Sequence, residues 1–97
     1  MTAYAVAMTE VQEDSVLCGS DACLDWDNAV DAADDFMMRC VCDFYEIVDR
    51  AWARAKIEAK VKRDFTVFKG QRKLECSFRD PERRFVVTTS VQETELR

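Results

Sequence analysis

Five cysteines are the first residues of this chain whose side chains could do chemistry. Cys18 and Cys23 are followed by Cys40 and Cys42, and later by Cys76. Structural zinc sites usually combine a closely spaced cysteine pair with a second such pair or with histidines. The chain contains no histidine, and positions two residues apart on a helix point about 200° from each other. We therefore predict no metal site and no catalytic cysteine, with Cys40 and Cys76 as small buried apolar residues.

Closely spaced carboxylates form the second such group. Asp34 and Asp35, or Asp31 with Asp35 one helical turn later, could bind a hard cation or act as a general acid and base. The chain lacks the calcium-loop spacing, the phosphate-binding loop, the dinucleotide-binding glycines and the serine elbow that accompany such chemistry. We therefore predict that the protein is not an enzyme and has neither catalytic residues nor a cofactor.

These carboxylates belong to a long amphipathic stretch, residues 26–55, which the apolar periodicity predicts as helix. At about 100° per residue, one sector is apolar and contains Ala29, Val30, Ala33, Phe36, Met37, Cys40, Val41, Phe44, Ile47, Val48, Ala51 and Ala55. The opposite sector is charged and contains Asp27, Asp31, Asp34, Asp35, Arg39, Glu46, Asp49 and Arg50. Ser20, Asp21 or Asp25 could cap the first turn. Ile57 and Val61 leave the apolar sector, so we expect a bend, or a second short helix, near residues 53–57.

Strand-forming segments flank this helix on both sides. Residues 3–11 alternate large and small side chains, and residues 15–18 predict a short second strand that Gly19 interrupts. After the helix, residues 65–68, 73–78 and 84–91 predict a meander, with a type I turn at residues 79–82 and a polar tail from residue 92. The pattern predicts an α+β fold, in which an antiparallel sheet of three to four strands packs against the long helix. Residues 1–97 form one domain.

The net charge of −5 hides an uneven distribution along the chain. Residues 1–50 contain twelve acidic and two basic side chains, whereas residues 51–97 contain seven acidic and twelve basic ones. Such a chain can present two oppositely charged surfaces. We see no signal peptide and no apolar run close to the ~18 residues of a membrane span. The sequence therefore predicts a cytoplasmic protein with reduced thiols and no membrane partner.

The acidic sector of the helix is the predicted interaction surface. Met38, Cys42 and Tyr45 fall within it and Trp52 lies at its edge, and apolar or aromatic residues amid charge are typical of interface hot spots. The predicted protein-binding residues are Asp27, Asp31, Asp34, Asp35, Met38, Cys42, Tyr45, Glu46, Asp49 and Trp52. The alternative is that the carboxylates are only solvated, and that the sheet or a second copy of the chain covers the apolar members.

In size, acidity and layout, and in having no enzymatic motif, the chain resembles the small phage-encoded anti-CRISPR proteins, which share no common sequence signature. The resemblance implies an inhibitor that binds a CRISPR effector complex in the host bacterial cytoplasm and blocks DNA access or nuclease recruitment. Some members mimic DNA through rows of Asp and Glu, and the face from Asp27 to Asp49 is the corresponding candidate here. The implied partner is a protein complex with a basic, nucleic-acid-binding surface.

Two other functions remain open on the sequence. The first is a homodimeric structural or accessory module of the bacterial or phage cytosol, with Met38, Tyr45 and Trp52 buried between subunits. The second is a small nucleic-acid-binding domain that uses the basic residues between Arg54 and Arg63. A sequence pI near 4.7 argues against direct binding of nucleic acid.

Overall fold

A computed structural model describes residues 1–95 and shows an α+β fold, as the sequence predicts. The element order is β1 (Thr2–Gln12), β2 (Ser15–Cys23), α1 (Trp26–Tyr45), α2 (Arg50–Lys60), β3 (Lys62–Phe68), β4 (Gln71–Asp80), a short 3₁₀ turn (Pro81–Arg83) and β5 (Phe85–Glu95). Neither α1 nor α2, the two helices of residues 1–95, is long and apolar enough to cross a membrane.

The sheet has five strands in the order β2-β1-β5-β4-β3, and every neighbouring pair is antiparallel. The prediction of three to four strands is therefore too low. The second strand continues to Cys23 because Gly19 and Ser20 pair with Met8 and Ala7 of β1 instead of breaking the strand. Likewise, β5 extends into the predicted polar tail because residues 92–95 pair with residues 2–5 of β1. Residues 96–97 of that tail lie outside the described residues.

Both helices lie on one face of the sheet and bury the apolar sector of α1 there. Val6 of β1 pairs with Val91 of β5, and both side chains are buried against Ala29 and Ala33. A larger cluster forms around Val41 and is completed by Phe36, Met37, Met38, Cys40, Ala53, Ile57, Cys76, Phe78, Phe85 and Val87. The predicted burial of Cys40 and Cys76 is confirmed.

The helical region breaks between Tyr45 and Arg50, before the predicted bend near residues 53–57. Glu46 adopts a left-handed conformation with φ of 55°, and its N–H and that of Ile47 bond back to the carbonyl groups of Asp43 and Cys42, at 3.4 and 2.9 Å. This is the Schellman pattern that commonly ends a helix. After the break Val48 is 97% exposed, and Ala51 and Ala55 are exposed as well, so the predicted apolar sector ends at Ile47.

The second helix begins at a side-chain cap. The Asp49 carboxylate accepts a hydrogen bond of 2.9 Å from the N–H of Ala51, which is one of the N–H groups that a helix start leaves unpaired. From there Ala53 and Ile57 turn inward onto α1 and β4. The sequence predicted a bend because Ile57 falls outside the apolar sector of residues 26–55. It falls outside that sector because it belongs to a separate helix, α2, which has its own buried face.

Candidate functional site

A row of carboxylates follows the outer face of α1. Asp27, Asp31 and Asp35 are all exposed and are spaced by four residues, which corresponds to about 6 Å along a helix axis. We call these three residues the acidic row. Asp35 pairs with Arg39 across 3.1 Å, one turn further on. Asp25 caps the start of α1 by accepting a bond of 3.2 Å from the N–H of Asp27.

Asp34 lies on the inner flank of α1 and faces α2. With Asp31, Asp35 and Met38 it lines a groove whose other wall contains Arg50 and Arg54. Partial burial raises the pKa of the Asp34 carboxyl, while the nearby Arg63 guanidinium opposes this rise. The arginines therefore reduce the negative potential on the groove side of α1, which includes Asp31 and Asp35 of the acidic row, whereas Asp27 lies outside the groove.

The apolar residues predicted to accompany these carboxylates do not form an exposed cluster with them. Met38 is only 7% exposed and belongs to the core, because α2 packs over this part of α1. Cys42 and Tyr45 are half-buried and pack against the same core. Trp52 is 61% exposed but lies on α2. The expectation that Met38 lies on the exposed acidic face is therefore wrong.

Glu46 and Asp49, the last two acidic residues predicted for the surface, lie in the connection between the helices. Both are exposed. Glu46 is the left-handed residue that ends α1, and Asp49 is the cap of α2. Their side chains thus lie beyond the end of α1 instead of continuing the acidic row along it.

Basic residues of the segment from Arg54 to Arg63 point in several directions. Arg63 lies on β3 and forms a bidentate salt bridge with Glu58, in which its two terminal nitrogens donate to the two carboxylate oxygens at 3.1 and 2.8 Å. Arg54 lines the groove opposite Asp34. Lys56 and Lys60 turn the other way, toward the connection between β4 and β5. The segment therefore does not form one continuous basic surface.

Tyr45 is the centre of a second site, which the sequence analysis did not identify. Its hydroxyl group donates a hydrogen bond to Asp80, a carboxylate only 7% exposed. Burial raises the pKa of Tyr45, and the bond to Asp80 adds to the rise. The same bond is the main cause that lowers the pKa of Asp80. The cation of Lys56 lies 4.3 Å from the centre of the Tyr45 ring, and the guanidinium carbon of Arg83 lies 5.4 Å from it.

A cleft of about 650 Å³ opens beside this ring. We call it the cationic cleft, and it is lined by Tyr45, Trp52, Lys56, Lys60, Asp80, Pro81, Glu82 and Arg83. The spacing of Trp52, Lys56 and Lys60 by four residues was visible in the sequence and places all three on one side of α2. Their meeting with Arg83 depends on the packing of α2 beside the β4–β5 connection, which local patterns do not reveal.

The five thiols differ in exposure, and Cys23 and Cys42 are half-buried. Cys18 is exposed, whereas Cys40 and Cys76 are buried. Burial raises the pKa of the Cys40 thiol, with a further rise from the neighbouring Glu10 carboxylate, and burial likewise raises the pKa of Cys76. Across residues 1–95, no three histidine, cysteine or acidic side chains converge as ligands of one metal ion.

The fold and these surfaces define a class of small α+β protein with two helices of different charge on one face of a five-stranded antiparallel sheet. No protein family, curated protein or solved structure matches the chain.

Proposed function

We propose that this protein is a non-enzymatic inhibitor that binds the nucleic-acid-binding surface of another protein, and that it acts as an anti-CRISPR protein on a CRISPR effector complex in the bacterial cytoplasm. The observation that supports this proposal is the acidic row. Its three carboxylates are exposed on a continuous helix of 20 residues, and within residues 1–95 only Asp35 of the three forms an ion pair.

A row of this kind suits a groove that normally holds a phosphate backbone. Such grooves bind nucleic acid largely by neutralising phosphates with Lys and Arg. Carboxylates fixed on a helix present their charge without ordering a flexible segment, so less conformational entropy is lost on binding. Exposed Asp21 and Asp25 lie at the end of β2 and just before α1, and extend the negative surface. A specific interface needs about 800 Å² per partner, which α1 and this flank can provide.

A competition experiment tests the proposal. Purified CRISPR effector complexes of several types are bound to fluorescent target DNA, and release of the DNA is followed by anisotropy as the protein is added. We expect the wild-type protein to displace DNA from at least one complex, and to do so less well as the salt concentration rises. Asp31→Lys with Asp35→Lys should weaken displacement by about tenfold or more, because like charges then face each other.

The matched control for this experiment changes the charge by the same amount elsewhere. Asp14 lies in the turn between β1 and β2 and Asp64 on β3, and both are exposed. The variant with Asp14→Lys and Asp64→Lys should displace DNA as the wild-type protein does. Equal loss in both variants would assign the effect to net charge and not to the acidic row. Failure of the wild-type protein to displace DNA from any complex would remove the inhibitor proposal.

A homodimeric module is the second candidate, and the exposed strand β3 favours it. All seven residues of β3 are exposed and the strand lies at the edge of the sheet. Phe65, Val67 and Phe68 are among the exposed large apolar side chains. An apolar edge strand with unpaired backbone groups is a template for pairing with another strand. Two copies joined through β3 would form one continuous sheet, without the burial of Met38 between subunits that the sequence suggested.

Light scattering tests this second candidate. We expect a dimeric mass at micromolar concentration and a monomeric mass for Val67→Lys, since a charged residue on an edge strand opposes pairing. Val48→Lys is the matched control, because Val48 is fully exposed in the connection between the helices and lies far from β3 in sequence. A monomeric mass for the wild-type protein would exclude the homodimer.

A further inference from the structure

The cationic cleft combines a flat aromatic surface with clustered positive charge. Trp52, Lys56 and Lys60 form one side of the cleft on α2, and Arg83 approaches from the opposite side in the turn before β5. Trp52 is 61% exposed although it is among the largest apolar side chains of the chain. It is exposed because the inner face of α2 is filled by Ala53 and Ile57. The fold thus leaves a tryptophan ring accessible next to three cations.

These three cations have no carboxylate partner of their own. Throughout residues 1–95, no acidic oxygen lies within 4.0 Å of the charged nitrogens of Lys56, Lys60 or Arg83. Asp80 is held at the base of the cleft, where its carboxylate accepts a hydrogen bond from the Tyr45 hydroxyl. Exposed Glu82 is the other carboxylate of the cleft. Three cations against two carboxylates leave a site that an anion would stabilise.

The Tyr45 ring holds two of the cations in position. Lys56 and Arg83 both lie over its π system, whose negative face attracts a cation. The ring itself is fixed by Asp80 and by edge-on contacts with Phe44 and Phe85, whose centroids lie 4.9 and 5.9 Å away. Cations that are already positioned lose less entropy when an anion binds.

We propose that the cationic cleft binds a nucleoside phosphate. The phosphate oxygens lie between Lys56, Lys60 and Arg83, and the base stacks on Trp52. Base stacking on aromatic side chains tolerates every base, so the site selects the class of ligand and not one base. The ligand is either a free nucleotide or one nucleotide of a single strand, since both carry the same two recognised groups. This inference does not depend on the acidic row or on the proposed inhibitor function.

Tryptophan fluorescence gives a direct measurement of this binding. In the variant Trp26→Phe, Trp52 is the only tryptophan, so quenching reports on the cleft alone. The probes are ADP, a single-stranded oligodeoxythymidylate and inorganic pyrophosphate. We expect saturable quenching by ADP, by the oligonucleotide or by both. Quenching by ADP identifies a free nucleotide as a ligand, and quenching by the oligonucleotide alone identifies a single strand.

Variants of exposed residues then locate the site by calorimetry. Lys60→Ala with Arg83→Ala should weaken the binding of whichever nucleotide probe quenches, and Trp52→Ala should weaken it by about tenfold through the lost stacking. Glu82→Gln should strengthen binding, because it removes from the cleft a negative charge that repels the phosphate. The matched control is Lys62→Ala with Lys69→Ala on and beside β3, which should bind as the wild-type protein does.

Three outcomes would overturn the inference. One is the absence of saturable quenching by both nucleotide probes at millimolar concentration. The second is that pyrophosphate binds as tightly as ADP and that Trp52→Ala binds nucleotide as the wild-type protein does. This result would show that the cleft binds anions without recognising a base. The third is equal loss of binding in the control variant and in the Lys60 and Arg83 variant. None of these outcomes tests whether the acidic row displaces target DNA from an effector complex. The nucleotide-binding inference can therefore fail while the inhibitor proposal stands, and the reverse.

Discussion

Tyr45 and Asp80 make a contact between elements that are 35 residues apart in sequence. Asp80 ends β4 with its carboxylate turned toward the helices and largely buried, so its charge needs partners within the protein. The Tyr45 hydroxyl is such a partner, and the nearby backbone of Arg83 also helps to lower the pKa of Asp80. Tyr45 was predicted to be part of a protein-binding face because of its helical position, but this position does not reveal a carboxylate on a distant strand.

Removal of this hydroxyl should destabilise the fold. We expect Tyr45→Phe to lower the free energy of unfolding by roughly 1–3 kcal/mol, because it leaves a buried carboxylate short of a hydrogen bond. Chemical denaturation at neutral pH measures the change. Tyr4→Phe is the matched control, since the Tyr4 hydroxyl accepts only a longer bond of 3.3 Å from Arg72. A Tyr45 variant no less stable than this control would show that the contact contributes little.

The same contact gives a pH dependence with a defined sign. Because the hydroxyl of Tyr45 lowers the pKa of Asp80 in the folded protein, its contribution to stability is complete at pH values above the pKa of Asp80 in the unfolded chain, near 4. This contribution is lost as the pH falls through the lowered pKa. The difference in stability between the wild-type protein and Tyr45→Phe should therefore be constant near neutral pH and shrink below about pH 4.

At the scale of the elements, the break between α1 and α2 is a feature that local sequence patterns did not place correctly. The chain has neither Gly nor Pro between residues 21 and 69, so the common signals that end a helix are absent. A glutamate takes the left-handed position at the end of α1, where glycine is usual. The sequence analysis assigned Asp49 to an acidic face. Because aspartate is a preferred residue at the start of a helix, Asp49 could also have indicated where α2 begins. The apolar sector nevertheless predicted correctly which face of α1 is buried up to Val41.

Asp49 can be tested as a cap separately from its charge. Asp49→Ala should lower the melting temperature by about 4–8 °C, which corresponds to the ~1 kcal/mol typical of a lost cap in a domain of this size. Asp49→Asn should remain close to the wild-type protein, because the amide oxygen still accepts the N–H of Ala51. Thermal unfolding followed by circular dichroism decides this. Similar losses in both variants would mean that the negative charge, and not the cap, is what stabilises α2.

At the scale of the whole molecule, alternation along the strands and the apolar stripe of α1 were sufficient to predict an α+β fold with an antiparallel sheet. They did not predict the order of the strands. Alternation determines which side chains face the helices, but it does not say which strand lies beside which, and the pairing of β1 with β5 joins residues 75 to 93 positions apart. The acidic row was predictable because it belongs to one helix. The cationic cleft was not, because it requires α2 and the turn at Pro81–Arg83 together.

The first and last strands along the chain, β1 and β5, lie side by side in the interior of the sheet, with Val6 opposite Val91 and Thr2 opposite Glu95. While the ribosome makes the chain, the β1–β2 hairpin and the β3–β4 hairpin are therefore complete before the strand that joins them exists. Each hairpin has an open inner edge during that interval, and open strand edges promote association with other chains. Closure of the sheet then requires contacts between distant parts of the chain, which form slowly. The nascent chain is thus most exposed to misassembly just before β5 is added.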